Sequence, residues 1–137
     1  MTQEKRELTA CIIDDDQIYV YGFKKLISIK KICNQLIDFQ NGMDAMNFLT
    51  NPKNASNLPD VIFLDINMPV MDGWDFIEVF GEIKSQLGKD ITVYMISSSI
   101  NSQDINRAKR IMHIADYIIK PLNEATLTNL LQPAATC

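Results

Sequence analysis

The stretch "VIFLDINMPVMDGW", residues 61–74, sets a run of strand-forming hydrophobics against one aspartate, Asp65, and a loop punctuated by Pro69 and Gly73. A carboxylate at the end of a buried strand is costly to ionise unless a cation or a hydrogen-bond donor stabilises it. The stretch therefore predicts a buried strand over 61–65 with a compensated charge at its end. A helix follows, capped by Asp72, with Phe76, Ile77, Phe80, Ile83 and Leu87 on one face and a stop at Gly88.

The same pattern extends in both directions. Upstream, "LTACIID" (8–14) is a continuous apolar strand, and Tyr19, Phe23, Leu26 and Ile27 then recur at helical spacing behind polar Lys24, Lys25 and Lys30. "QLIDF" (35–39) predicts a second strand, "DAMNFLT" (44–50) a short helix that stops before Asn51 and Pro52, and "NPKNASNLPD" (51–60) a polar surface loop. Downstream, "ITVYMIS" (91–97) is the fourth strand, and Ser102 caps a helix with Ile105, Ala108 and Met112 inward. "DYIIK" (116–120) is the fifth strand, Asn123 caps a last helix carrying Leu127, Leu130 and Leu131, and "QPAATC" (132–137) is a frayed tail. Five hydrophobic, non-alternating strands interleaved with five helices predict a parallel sheet covered on both faces, a doubly wound α/β fold.

Composition agrees with one domain spanning 1–137 and a core over about 8–131. The chain has 137 residues, 47% hydrophobic and 22% charged, enough for a real core. Its apolar runs are too short to span a membrane, and the opening "MTQEKRELTA" lacks the apolar segment of a signal peptide, which predicts a cytoplasmic protein. A formal net charge of −4 with no basic run argues against a nucleic-acid surface. Cys11, Cys33 and Cys137 are widely spaced, with no CxxC pair or histidine cluster, and read as reduced core or surface thiols.

In doubly wound sheets ligands bind outside the carboxyl ends of the strands. Those ends carry Asp14, Asp15 and Asp16 after strand one, Asp65 after strand three, Ser97 to Ser99 after strand four, and Lys120 with Pro121 after strand five. With strands one and three as neighbours, Asp14, Asp15 and Asp65 repel one another, and a divalent ion resolves the conflict. An all-oxygen donor set favours magnesium or manganese over zinc. Lys120 adds a positive charge and Ser97 a hydroxyl, a set suited to holding a phosphoryl group and transferring it onto one exposed carboxylate. Singly, several residues have ordinary readings. Asp72 and Asp16 serve as helix caps and Ser98 and Ser99 as loop polars, while Tyr117 suits a central strand. Met43, Met46, Met68, Met71, Met95 and Met112 read as packing residues. His113, the one histidine, stands apart from the strand-end cluster.

"IIDDD", "LDINMPVMDG", "MISSS" and "DYIIKPL", in this order and spacing, resemble the receiver domains of two-component response regulators, typified by the bacterial chemotaxis regulator, over Leu8 to Leu131. The resemblance implies a flavodoxin-like sheet of strand order 2-1-3-4-5. Asp65 would accept a phosphoryl group from a sensor histidine kinase or a histidine phosphotransfer protein. Asp15 would ligate magnesium directly, Asp14 through water, and Asn67 through its backbone carbonyl. Ser97 falls at the switch Ser/Thr, Lys120 at the family's lysine, and Tyr117 at the aromatic switch. A cis Lys120-Pro121 bond and a downstream protein target on the face of helix four, strand five and helix five are implied as well. His113 departs from the glycine many relatives have there, which predicts a turn that differs or is strained. Small Ser98 leaves the phosphoryl entrance open.

Two alternatives stand beside this. A phosphatase of the haloacid dehalogenase type would use Asp14 and Asp16 with Ser97 and Lys120, but it needs an acidic pair beyond the lysine, where only Glu124 follows, and it gives Asp65 no role. A pseudo-receiver would keep the fold as a binding module without phosphorylation. No output domain follows the last helix, which leaves a stand-alone regulator or a receiver from a longer chain.

Overall fold

A computed structural model describes residues 8–30 and 35–131; Cys33, Cys137 and the 132–137 tail lie outside the described residues. The order is β1 (Thr9–Ile13), α1 (Gln17–Lys30), β2 (Gln35–Phe39), α2 (Gly42–Thr50), β3 (Val61–Asp65), α3 (Gly73–Ile83), β4 (Thr92–Ser97), α4 (Ser102–Lys109), β5 (Ile114–Ile119) and α5 (Glu124–Leu131). All strand pairs are parallel, in the order β2-β1-β3-β4-β5. Ile13 lies opposite Leu64, so Asp14 leaves β1 level with Asp65 on β3.

The non-alternating strands are explained by two cores, one on each face of the sheet. Ala10, Ile12, Phe63 and Ile96 pack with Val20, Phe23 and Ile27 of α1 and with Leu127 and Leu131 of α5. Cys11, Ile13, Ile62, Leu64 and Met95 pack on the other face with Ala45, Met46 and Leu49 of α2, Phe76, Ile77 and Phe80 of α3, and Ala108 of α4. Successive residues of a central strand thus bury their side chains in opposite directions. Cys11 is a free thiol inside this core. Among the described residues no helix is long and apolar enough to cross a membrane.

Most differences from the sequence reading lie at element ends. The polar loop after α2 contains a 3-10 turn, Pro52–Asn57, and a second, Lys84–Gln86, finishes α3 before Gly88, whose φ is +70°. Asn101, not Ser102, caps α4: its side chain accepts from the Gln103 N–H at 2.7 Å. Because α4 stops at Lys109, the helical spacing that would turn Met112 inward no longer applies, and Met112 is 93% exposed. Met43 is likewise exposed rather than packed.

The turn carrying His113 differs from a glycine turn without strain. Among the described non-glycine residues only Val70 has positive φ. Ile111 N–H donates to Ala108 at 3.1 Å and Ile114 N–H to Ile111 at 3.2 Å, closing the turn. The imidazole rests against Gly81 of α3, where a Cβ would stand 2.5 Å from Nε2. A glycine on the neighbouring helix makes room for the side chain.

Candidate functional site

Four of the residues singled out in the sequence meet at the carboxyl edge of the sheet. Carboxylate oxygens of Asp14, Asp15 and Asp65 lie within 4.8 Å of one another. Lys120 Nζ stands 2.7 Å from Asp14 Oδ2 and 3.3 Å from Asp65 Oδ1. Asp14 and Asp65 are buried, whereas Asp15 is exposed. Asp14 Oδ1 also accepts from the Asp16 N–H at 2.9 Å, so the backbone leaving β1 holds this carboxylate in place.

The loop after β3 is built around a close approach. Gly73 N–H donates to the Ile66 carbonyl at 2.7 Å, and a Cβ at Gly73 would lie 2.4 Å from the Asp65 carbonyl oxygen. Only glycine fits where α3 begins so near the strand end. Asp72 caps α3 as the sequence predicted, accepting from Asp75 N–H at 2.8 Å. Between them, Val70 has φ of +70° and Met71 N–H donates to the Pro69 carbonyl at 2.7 Å, a tight turn that strains a β-branched residue. Asn67 lies exposed two residues beyond Asp65.

Charge at the cluster is unevenly compensated. Burial and then the charge of Asp14 push the Asp65 carboxyl up to about 6, against the pull of Lys120 and the Ile66 N–H. For Lys120, burial alone would lower the ammonium, but its hydrogen bond to Asp14 and the two carboxylate charges outweigh it and hold the group above its ordinary value. One ammonium therefore leaves residual repulsion among the carboxylates. A donor set of three carboxylates, without imidazole or thiolate, fits a hard divalent cation such as magnesium or manganese.

Ser97 and Tyr117 are not part of the acidic cluster; they converge instead on Ser99 in the β4–α4 loop. Ser97 is buried at the end of β4 beside Lys120, whose N–H donates to the Ser97 carbonyl at 2.8 Å. Ser97 Oγ accepts from the Ser99 N–H at 3.0 Å, and the half-buried Tyr117 hydroxyl donates to the Ser99 carbonyl at 2.9 Å. Ser99 Oγ reaches Asp104 of α4 at 3.2 Å and accepts from Asn101 N–H at 3.1 Å. The sequence marks Ser99 only as a loop polar. It marks Tyr19 only as one apolar position of α1, yet the Tyr19 ring underlies Lys120, with Nζ 4.4 Å from its centroid. Proximity of Ser99 to Ser97 was the only signal for the first, and nothing local marked the second.

Asp16 caps α1, accepting from Ile18 and Tyr19 N–H at 3.1 Å each. The Lys120-Pro121 peptide is cis. Ser98 is exposed and His113 precedes β5, at the opposite end of that strand from Lys120.

Comparison with known proteins gives a uniform result. The sequence profile of the response regulator receiver domain matches residues 10–132. Response regulator Rcp1 of Synechocystis is 29% identical, the alignment covering 88% of this chain and 82% of Rcp1. The two-component response regulator ORR26 of rice is also 29% identical over 91% of this chain, but the chain spans only 20% of that protein's length. A two-component response regulator from Cytophaga hutchinsonii superimposes with a TM-score of 0.81 at 28% identity, covering 91% of this chain and 95% of that one. The phosphorylated cyanobacterial phytochrome response regulator RcpA (TM-score 0.71, 28% identity, 92% and 89% coverage) and the manganese-bound form of Rcp1 (0.68, 27%, 91% and 89%) are similar in the same way.

Proposed function

The chain belongs to the response regulator receiver domain family, and from that membership we propose that it is a single receiver module working in the cytoplasm, in which Asp65 accepts a phosphoryl group from a phosphohistidine on a sensor kinase or phosphotransfer protein. One observation carries this reading: both oxygens of the fully buried Asp14 are taken, by Lys120 and by the Asp16 N–H, whereas Asp65 keeps some exposure at its strand end with Lys120 and the Asp14 and Asp15 carboxylates around it. An Asp65 carboxylate oxygen attacks phosphorus as the phosphorus–nitrogen bond to the histidine breaks, and the freed imidazole leaves with its electron pair. Lys120 then pairs with a phosphoryl oxygen, offsetting charge that Asp65 alone cannot carry. Asp14, Asp15, Asp65 and the backbone carbonyl of Asn67 would hold magnesium, or manganese as in the Rcp1 structure; when bound, the ion neutralises charge on the phosphoryl oxygens.

In this reading Ser97 is the hydroxyl drawn toward the phosphoryl group and Tyr117 the ring that responds. The output surface is the face of α4, β5 and α5, offered to a protein target. The Ser99 junction supports that assignment, because both side chains already bond to one residue of the β4–α4 loop.

Intact mass after incubation with acetyl phosphate and magnesium tests the proposal. A single added phosphoryl group, absent from Asp65→Asn and from an Asp15→Ala variant at low magnesium, is the expected result. Equal labelling of wild type and Asp65→Asn would sink it, and label on Asp14 would favour the phosphatase.

A further inference from the structure

We propose that Tyr19 is a positioning residue for phosphoryl transfer, its ring face acting as the third partner that keeps the Lys120 ammonium over Asp65 while leaving it free to pivot. The inference deepens the phosphoacceptor reading and rests on it. Lys120 Nζ lies 4.4 Å from the centre of the Tyr19 ring and contacts the two carboxylates at 2.7 and 3.3 Å. The ammonium is thus enclosed by two carboxylates and one aromatic face, and its side chain is only 14% exposed.

The ring is held by more than its contact with lysine. Tyr19 N–H donates to the Asp16 cap at 3.1 Å, and the ring leans on Phe23 with centroids 6.2 Å apart. It also lines an apolar cavity of about 290 Å³ with Gly22, Phe23, Pro121 and Leu122. Tyr19 therefore borders both a desolvated cation and an apolar space that offers that cation nothing. Burial and the charges of Asp14 and Asp65 push the phenol up to about 12, so the ring meets the ammonium as a neutral π face.

The chemistry explains why an aromatic face suits this position. Before transfer the ammonium pairs with Asp14 and Asp65, and afterwards it must follow a phosphoryl oxygen projecting from Asp65. A third hydrogen-bond acceptor would tie it to one direction and would have to be broken. Attraction to a ring quadrupole is broad in angle and persists as the ammonium tilts.

Tyr19→Phe and Tyr19→Leu separate the ring face from the hydroxyl and from simple bulk. With lysine labelled at Cε, the Lys120 ε protons should be shifted upfield by ring current in wild type and in the phenylalanine variant, and should return to ordinary values in the leucine variant. The rate of labelling by acetyl phosphate at saturating magnesium should stay within about twofold in Tyr19→Phe and fall about threefold to tenfold in Tyr19→Leu, the range of a partly desolvated cation–π contact. Magnesium affinity, measured separately, should be unchanged in both. A leucine variant that labels at the wild-type rate overturns the proposal, as does a phenylalanine variant as slow as leucine. Should the leucine variant not fold, unshifted Lys120 protons in wild type and Tyr19→Phe overturn it equally. If wild type takes no label, the phosphoacceptor reading fails, and the ring-current comparison still decides the Tyr19 contact.

Discussion

Lys120 Nζ pairs with Asp14 Oδ2 at 2.7 Å, across 106 positions of sequence. The bond joins the last strand of the sheet to the first, through a site neither strand could form alone. Removing the ammonium leaves Asp14 and Asp65 buried as uncompensated neighbours. Lys120→Met is expected to destabilise the metal-free protein at pH 7 by about 3–5 kcal/mol, the range found when one partner of a buried pair is deleted. Magnesium should restore part of that loss. Urea unfolding with and without the ion measures both; a variant as stable as wild type would show that the pair contributes nothing net.

Asp65 should make stability depend on pH in a direction unusual for an aspartate. Its carboxyl is raised from 3.8 to about 6 in the folded protein. A raised folded value means that the protonated form is favoured by folding, so the associated stability is fully present below about pH 4 and is lost as pH rises through 6. At pH 7 without metal, Asp65→Asn should therefore be more stable than wild type, by up to about 3 kcal/mol at 1.36 kcal/mol per unit. The two should converge as pH falls toward 4. Unfolding curves in chelator at several pH values decide it, and parallel curves across the range would refute the assignment.

Gly73 should tolerate no side chain. A Cβ there meets the Asp65 carbonyl at 2.4 Å and Ile66 Cα at 2.9 Å, both backbone atoms that cannot swing aside. Gly73→Ala is expected to cost about 2–3 kcal/mol through overpacking. It should also slow labelling by acetyl phosphate, because relief requires moving the peptide that carries Asp65. Gly22, whose Cβ would meet nothing within 4 Å, provides the control: Gly22→Ala should be neutral or stabilising.

Coupling between the site and the distal face should run through Ser99. Beryllofluoride, a phosphoryl mimic on aspartate, should shift amides of the α4, β5 and α5 face in wild type. In Ser97→Ala or Tyr117→Phe, which each remove one bond to Ser99, those distal shifts should shrink while beryllofluoride still binds. The loss corresponds to about 1–3 kcal/mol of coupling. Shifts confined to the loops touching Asp65 in wild type would mean that the module binds without transmitting.

Much of what depends on near neighbours along the chain was legible in the sequence. Strands β1 and β3 were legible as unbroken apolar runs, and the caps Asp16, Asp72 and Asn123 stood just before their helices, where a side-chain oxygen reaches an N–H two or three residues on. The chemical type at the end of β3 was legible too, since a buried strand has little other reason to end in Asp65. Where a helix stops was less so. Met112 fits the spacing of Ile105 and Ala108, but α4 ends at Lys109 with Arg110 as its C-cap, and periodicity cannot register where the backbone turns away. The tertiary structure alone decided which of these groups face one another. Asp65 is raised by burial and by Asp14 on another strand, and Lys120 is backed by the ring of Tyr19 on α1. Ser99 collects bonds from β4, β5 and α4. Desolvation and charge interaction depend on distance and burial in space, and both are set by strand register and helix docking rather than by position along the chain.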